Sequence, residues 1–148
     1  MPKRCSSRSG FTLIELIVVM VILLLLAALV MPRLVGRAEQ GRRAAAIAQL
    51  TIIEGELEKY MIDNGKFPTT EEGLEALVRE PSSAKNWRGP YLKDAILPKD
   101  SWGSEFHYES PGGEGRDYDL WSTGADGEAG GEGENADIKS WDPESKKG

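Results

Sequence analysis

Two short stretches hold the residues whose types and spacing suggest chemistry. In the first, Gly10-Phe11 stands directly before an apolar run, and a single acid, Glu15, interrupts that run. Glycine has no side chain to block a protease, so the Gly10–Phe11 bond is a candidate cleavage site. A charged side chain inside an apolar segment is costly to bury and therefore indicates a function.

The second stretch is a loop rich in glycine and in acids, at residues 122–138. Carboxylate, amide and carbonyl oxygens are the hard ligands that calcium takes in proteins. The spacing does not match the EF-hand loop. Composition alone is equally compatible with a calcium site and with a solvated, flexible loop. The oxygen-bearing side chains are those of Asp126, Glu128, Glu132, Glu134, Asn135 and Asp137.

The remaining composition limits what else the chain can do. Its formal net charge is −6, and without the first ten residues 15 basic side chains would face 24 acidic ones. Phosphate binding requires a positive surface, so we expect no nucleic acid partner. The chain has one histidine, His107, one cysteine, Cys5, and no G-x-S-x-G motif. These features argue against an enzyme, and we expect no catalytic residues.

An apolar helix must position Glu15. All sixteen residues from Leu16 to Met31 are apolar. A helix from Phe11 to Met31 would be roughly 32 Å long, enough to cross a bilayer core of about 30 Å. The apolar region of a secretory signal is shorter, about 7–15 residues, so an ordinary signal peptide is disfavoured. Glu15 would then either pair with another charge or reach the level of the lipid headgroups.

The helical pattern continues beyond this run. Pro32 either ends the first helix or kinks a continuous one. We favour a continuous helix from about Thr12 to Asn64, because an apolar stripe resumes at helical spacing and Gly65 follows as a C-cap signal. The stripe comprises Ile47, Leu50, Ile53 or Glu54, Leu57, Tyr60 and Met61.

Shorter elements follow the long helix. Thr69 and Glu72 have the spacing of a capping box, which predicts a short helix over about residues 70–79. Residues 106–108 and 117–122 alternate as strands do, around a turn that begins at Pro111. They predict a small antiparallel sheet laid on the long helix, with His107 facing solvent. The chain from Asp142 to Gly148 is expected to be a frayed tail.

The amino-terminal motif resembles the class III signal of type IV pilins and pseudopilins. A short basic leader precedes Gly10-Phe11-Thr12-Leu13-Ile14-Glu15, and the apolar run follows. The resemblance implies that a membrane prepilin peptidase cuts between Gly10 and Phe11 and methylates the new amino terminus of Phe11. It also implies that Glu15 of an incoming subunit pairs with the Phe11 amine of its neighbour, which offsets the cost of burying both charges.

Later segments narrow the resemblance to the major pseudopilins of type II secretion. The chain shares with them FPTTEEGLEAL at residues 67–77 and L-W-S-x-G-A-D-G at residues 120–127, and Ser101 stands where their D-P-W-G element has proline. That family carries a calcium site in the loop at residues 122–138, where this chain also has the matching N-A-D-I at residues 135–138. The resemblance therefore implies Ca²⁺ as a ligand, held by the side chains of Asp126 and Asp137 and by the backbone carbonyls of Leu120, Thr123 and Asn135.

The implied fold is α+β, a type IV pilin-like fold whose long N-terminal helix packs on a small antiparallel sheet with a calcium-binding loop. The implied parts are a leader at residues 1–10, a transmembrane and filament-core half-helix at 11–31, and a periplasmic globular domain at 32–148. The implied function is the main structural subunit of the periplasmic pseudopilus, which polymerises and pushes folded substrates through the outer-membrane channel. The alternatives are a type IV pilus pilin, a minor pseudopilin or, less expected, a membrane-anchored calcium-dependent enzyme.

The resemblance also implies partners and a location. The partners are other copies of the chain, minor pseudopilins, the prepilin peptidase, the inner-membrane assembly platform and the secreted proteins. The location is the inner membrane, spanned once, with the C-terminal domain in the periplasm, and a periplasmic filament after assembly. The resemblance alone sets this orientation, because Arg33, Arg37, Arg42 and Arg43 follow the apolar run and three basic residues precede it.

Overall fold

The computed structural model describes residues 10–146, without the side chains of residues 30–35 and 134. Apart from Gly10, the predicted leader therefore lies outside the described residues. The chain forms two compact units, and the boundary between them lies between Ala38 and Glu39. One long helix, α1, extends through both units from Leu13 to Asn64.

Both ends of α1 are capped, and the cap at Gly65 is the one that the sequence predicts. At the start, the backbone N–H of Glu15 donates to the Thr12 hydroxyl oxygen at 3.3 Å, an N-cap interaction. At the end, the N–H of Gly65 donates to the Met61 carbonyl at 2.7 Å, and Gly65 has a φ of +77°. The prediction of one continuous helix through Pro32 is confirmed, with its start one residue later than expected.

In the first unit, the large apolar side chains from Phe11 to Leu29 are 46% to 81% exposed. They surround the helix rather than forming one stripe, since every described position in this part of α1 is exposed. Within the described part of the chain, no helix combines the length and the hydropathy needed to cross a membrane.

In the second unit, one face of α1 forms the centre of the core. Its fully buried residues recur at intervals of four and three, as one helix face requires. The predicted stripe is confirmed from Leu50 to Tyr60, whereas Ile47 is only partly buried and Met61 is exposed. Ala46, a small residue that the sequence analysis did not single out, extends the stripe. The buried face comprises Ala46, Leu50, Ile53, Leu57 and Tyr60.

The short helix predicted over residues 70–79 is a 3₁₀ helix from Leu74 to Leu77. The capping box itself is formed. The N–H of Thr69 donates to the Glu72 carboxylate at 2.9 Å, and the N–H of Glu72 donates to the Thr69 hydroxyl oxygen at 3.3 Å. Gly73 then adopts a φ of +58°, which is incompatible with an α-helix and separates the box from the helical residues.

Three short strands form one antiparallel sheet in the order β1-β2-β3. β1 spans His107–Glu109, β2 spans Asp119–Ser122 and β3 spans Ile138–Lys139. His107 pairs with Trp121, and Ser122 pairs with Ile138. The two predicted strands are confirmed as antiparallel partners, and β3 is a third strand that was not predicted. His107 is exposed as predicted. Further 3₁₀ turns lie at Lys93–Ala95, Gly113–Gly115 and Gly133–Asn135.

Truncating the α1 stripe should destabilise the second unit. We expect Leu57→Ala to lower the free energy of unfolding by about 2–5 kcal/mol, because it leaves a cavity at a fully buried position. Ile52→Ala on the same helix is the matched control. Ile52 is 55% exposed, so its truncation should stay within about 0.5 kcal/mol of wild type. Denaturant unfolding of the full chain measures both, and equal losses would contradict this packing.

Candidate functional site

The acidic, glycine-rich loop connects β2 to β3, and the sheet closes it at its base. Ser122 and Ile138, the last residue of β2 and the first of β3, are paired across the sheet. Thr123 follows this pair and Asp137 precedes it, and both are buried. The structure thus brings together two residues of the predicted calcium site at the base of the loop.

Asp137 is only 8% exposed, and its carboxylate is partnered. Both carboxylate oxygens accept the N–H of Gly130 at 3.1 Å, and the N–H of Asp137 donates back to the Gly130 carbonyl at 3.3 Å. The Lys139 Nζ lies 3.6 Å from the same carboxylate. Asp137 therefore ties the middle of the loop to its base.

The backbone of Gly124 and of Gly131 lies close to the Asn135 carbonyl oxygen. A Cβ atom at Gly131 would lie 2.5 Å from that oxygen, and one at Gly124 would lie 3.2 Å from it. Both glycines also have positive φ angles, +81° and +69°. Close approach and backbone conformation both require glycine here. The Asn135 carbonyl is consequently enclosed by loop backbone.

The other two predicted ligands lie elsewhere on the loop and the sheet. Leu120 is buried in β2, and its carbonyl accepts the N–H of Ser140 at 2.9 Å. Asp126 is exposed, and its Oδ1 accepts the N–H of Glu128 at 3.1 Å. The structure therefore groups Thr123, Asn135 and Asp137 at the base and puts Asp126 on the exposed part of the loop.

The donor set of this loop fits a hard cation. Among the described residues, no group of three or more histidine, cysteine or acidic side chains is arranged to hold a metal. A site formed by the predicted residues would instead use two carboxylates, from Asp126 and Asp137, and backbone carbonyls. Such an all-oxygen set suits calcium rather than a softer transition metal.

The tail after β3 is packed as far as Lys146, and the expectation of a frayed tail is wrong for these residues. The Ser145 hydroxyl accepts the N–H of Lys139 at 2.9 Å and donates to the Asp142 carbonyl at 2.7 Å. The Lys146 Nζ pairs with the Glu54 carboxylate at 3.1 Å. Local sequence patterns do not indicate this packing, because the helix partner lies 92 residues earlier in the chain.

Aromatic and charged side chains hold the end of the loop against the sheet. Trp141 packs edge-on against Trp121, with ring centroids 6.2 Å apart, and the Arg116 guanidinium lies 4.8 Å from the Trp141 ring. Arg116 Nε also donates to Asp119 Oδ1 at 2.6 Å. This guanidinium, assisted by the N–H of Gly113, holds the pKa of the Asp119 carboxyl below its usual range.

The amino-terminal motif lies in the first unit. The Gly10–Phe11 bond is in irregular backbone immediately before α1, and both residues are exposed. Glu15 is exposed in the first helical turn, where a negative charge also complements the helix dipole. The junction is therefore accessible to a protease.

Family models match the chain in two consecutive ranges. Residues 5–31 match the prokaryotic N-terminal methylation motif. Residues 33–141 match type II secretion system (T2SS), protein G. The chain belongs to the type II secretion system protein G family.

Individual members of the protein G family are similar over nearly their whole length. Type II secretion system core protein G of Vibrio cholerae is 44% identical over 142 residues, which cover 94% of this chain and 95% of that protein. The core protein G of Pseudomonas aeruginosa is 46% identical over 139 residues, covering 91% and 96%.

A solved structure supports the same family. The crystal structure of the major pseudopilin from the type 2 secretion system of enterohaemorrhagic Escherichia coli has a TM-score of 0.63 and 35% identity, and the match covers 74% of this chain and 95% of that chain. The predicted resemblance to pseudopilins and the predicted α+β fold, with a long helix and a small antiparallel sheet, are confirmed.

The Arg116–Asp119 pair predicts a pH-dependent stability for this protein G family member. Folding lowers the pKa of Asp119, so its ionised carboxylate stabilises the fold at pH values above the pKa of the unfolded chain, which is near 4. This stabilisation is lost as the pH falls through the lower pKa of the folded state. The melting temperature of Asp119→Asn should therefore be lower than that of wild type at pH 7, and the difference should shrink below about pH 4.

Thermal unfolding of the full chain between pH 7 and pH 3 measures this difference. Asp117→Asn, at an exposed position two residues earlier, is the matched control and should stay close to wild type. A difference between Asp119→Asn and wild type that is constant with pH would contradict the ion pair.

Proposed function

We propose that the chain is the main structural subunit of the periplasmic pseudopilus of a type II secretion system, where it polymerises and pushes folded substrates through the outer-membrane channel. The similarity to core protein G relatives, which spans nearly their whole length, carries this proposal. The matching crystal structure is that of a major pseudopilin, which favours this role over that of a minor pseudopilin or a type IV pilus pilin. The role is structural and requires no catalytic residue.

Processing of the amino terminus is part of this proposal. A prepilin peptidase would cut between Gly10 and Phe11 and methylate the new amine of Phe11. The match of residues 5–31 to the N-terminal methylation motif and the accessible junction support this step. Glu15 then becomes the fifth residue of the mature chain, where its carboxylate would pair with the Phe11 amine of a neighbouring subunit.

Before assembly, the first part of α1 would cross the inner membrane once and anchor the subunit there, with residues 32–148 in the periplasm. The sixteen consecutive apolar residues from Leu16 to Met31 support this anchor. So does the exposure of the large side chains from Phe11 to Leu29, because an apolar surface of this extent needs lipid or other subunits to cover it. Minor pseudopilins, the assembly platform and the secreted proteins would be the further partners.

Replacing Glu15 separates processing from assembly. In cells that express a complete type II secretion system, mass spectrometry should show wild type and Glu15→Gln both beginning at methylated Phe11. Filament formation should be lost in Glu15→Gln, because the buried amine no longer finds an opposite charge. Glu71→Gln, which removes an exposed acid from the second unit, is the control and should assemble.

Two results would contradict these expectations. A wild-type chain that begins at Met1 or near Leu29 would overturn the processing and, with it, the pseudopilin role. Normal filaments from Glu15→Gln would overturn the role of Glu15 in assembly alone.

We further propose that the loop at residues 122–138 binds one calcium ion. The side chains of Asp126 and Asp137 and the carbonyls of Leu120, Thr123 and Asn135 would hold it. The buried base formed by Thr123 and Asp137 and the enclosed Asn135 carbonyl support a site here. When bound, the ion would supply positive charge that offsets the repulsion between the carboxylates of this acidic loop.

Calcium should raise the melting temperature of the full chain purified in detergent. A ligand at 100 times its dissociation constant stabilises the folded state by about 2.7 kcal/mol. Asp126→Ala should abolish this shift at no cost to the fold, because Asp126 is exposed. Glu128→Ala, two residues later on the same exposed turn, should keep the shift. If calcium leaves the melting temperature of wild type unchanged, or if Asp126→Ala responds fully, the site is not the one proposed.

A further inference from the structure

Arg43 on α1 joins two segments that are distant from it in sequence. Its Nη1 donates to the Ala136 carbonyl at 2.7 Å, and its Nη2 donates to the Ser145 carbonyl at 2.7 Å. The guanidinium is planar and presents its N–H groups in a rigid fork. Two short bonds from one fork therefore fix these two carbonyls relative to each other and to the helix.

Ala136 lies between two of the proposed calcium ligands, the Asn135 carbonyl and the Asp137 carboxylate. A Cβ atom at Gly124 would lie 3.1 Å from the Ala136 carbonyl oxygen and 3.2 Å from that of Asn135, so the loop backbone covers both. The Ala136 carbonyl cannot rotate away without breaking its bond to Arg43. Arg43 therefore fixes the orientation of the Ala136–Asp137 peptide, which lies between the two proposed ligands.

The second bond of Arg43 extends this control to the tail. Ser145 is tied to β3 through the N–H of Lys139, and the Lys139 Nζ lies 3.6 Å from the Asp137 carboxylate. A surface cavity of about 370 Å³ lies between the loop and the tail, and Arg43, Asp137 and Ser145 are among its lining residues. The loop base, β3 and the tail thus form one hydrogen-bonded unit held by Arg43.

We infer that Arg43 is a positioning residue for the proposed calcium site, and that it couples ion binding to the order of the tail at residues 140–146. This inference rests on the calcium proposal above. Arg43 touches no proposed ligand atom; it acts through the Ala136 carbonyl. Coupling of this kind is reciprocal: if the ordered tail strengthens ion binding by a given factor, ion binding favours the ordered tail by the same factor.

Calcium titration of the full chain in detergent, followed by calorimetry, tests the positioning role. Arg43→Gln should weaken calcium binding by roughly fivefold to a hundredfold, the usual range for coupled sites. Arg43→Lys should be intermediate, because a lysine keeps the charge but lacks the fork that holds two carbonyls. Arg42→Gln, one residue earlier with a side chain 60% exposed, is the matched control and should bind as wild type does.

The direction of the change distinguishes positioning from simple charge repulsion. Removing a positive charge near a divalent cation favours binding by Coulomb's law. Weaker binding in Arg43→Gln therefore requires lost positioning. Tighter or unchanged binding in Arg43→Gln, with wild type binding calcium, would overturn the inference and leave the calcium proposal intact.

Hydrogen exchange provides a second measurement on the same variants. Calcium should slow amide exchange of residues 140–146 in wild type and in Arg42→Gln, and this slowing should disappear in Arg43→Gln. A purely structural role for Arg43 would speed exchange equally with and without calcium, and that result would overturn the coupling.

Should wild type bind no calcium, the calcium proposal fails and this inference with it. If Arg43→Gln lacks a cooperative unfolding transition, Arg43→Lys carries the test.

Discussion

The packing of one face of α1 on the small sheet is the interaction on which the second unit depends. Its strands are only two to four residues long and could not form a stable sheet alone. The stripe from Ala46 to Tyr60 supplies the apolar surface, and Leu77, Leu120 and Ile138 complete a core without solvent access. Every site described in this unit is positioned by elements that are attached to this core.

Polar side chains on α1 beside the stripe give the helix a second role. Glu39 accepts a hydrogen bond from the Trp102 indole at 2.5 Å, Arg43 binds the loop and the tail, and Glu54 pairs with Lys146. Each of these bonds ties a segment with little regular secondary structure to the most regular element of the fold. The helix therefore organises the loop, although none of the residues proposed to hold calcium lies on it.

A single helix consequently serves two environments in this protein G family member. From Phe11 to Leu29, its apolar side chains are exposed on all sides; after the unit boundary at Ala38, one face is buried in a small core. A globular domain of this size does not need a helix of 52 residues, whereas a subunit that contributes its helix to a filament does. The proposed function follows from this division of one element between two kinds of surface.

Local patterns in the sequence were sufficient for α1, its C-cap, the capping box at Thr69 and the first two strands, because each depends on neighbours a few residues apart. Short motifs were sufficient for the family. Tertiary structure decided the rest. Residues 74–77 form a 3₁₀ helix instead of the predicted α-helix, because Gly73 before them has a positive φ. The tail is packed as far as Lys146. For the loop, the sequence indicated oxygen ligands, but the enclosure of the Asn135 carbonyl and the bonds of Arg43 depend on contacts between residues up to 102 positions apart. No local spacing encodes such contacts, since they exist only once the core has brought the helix, the loop and the tail together.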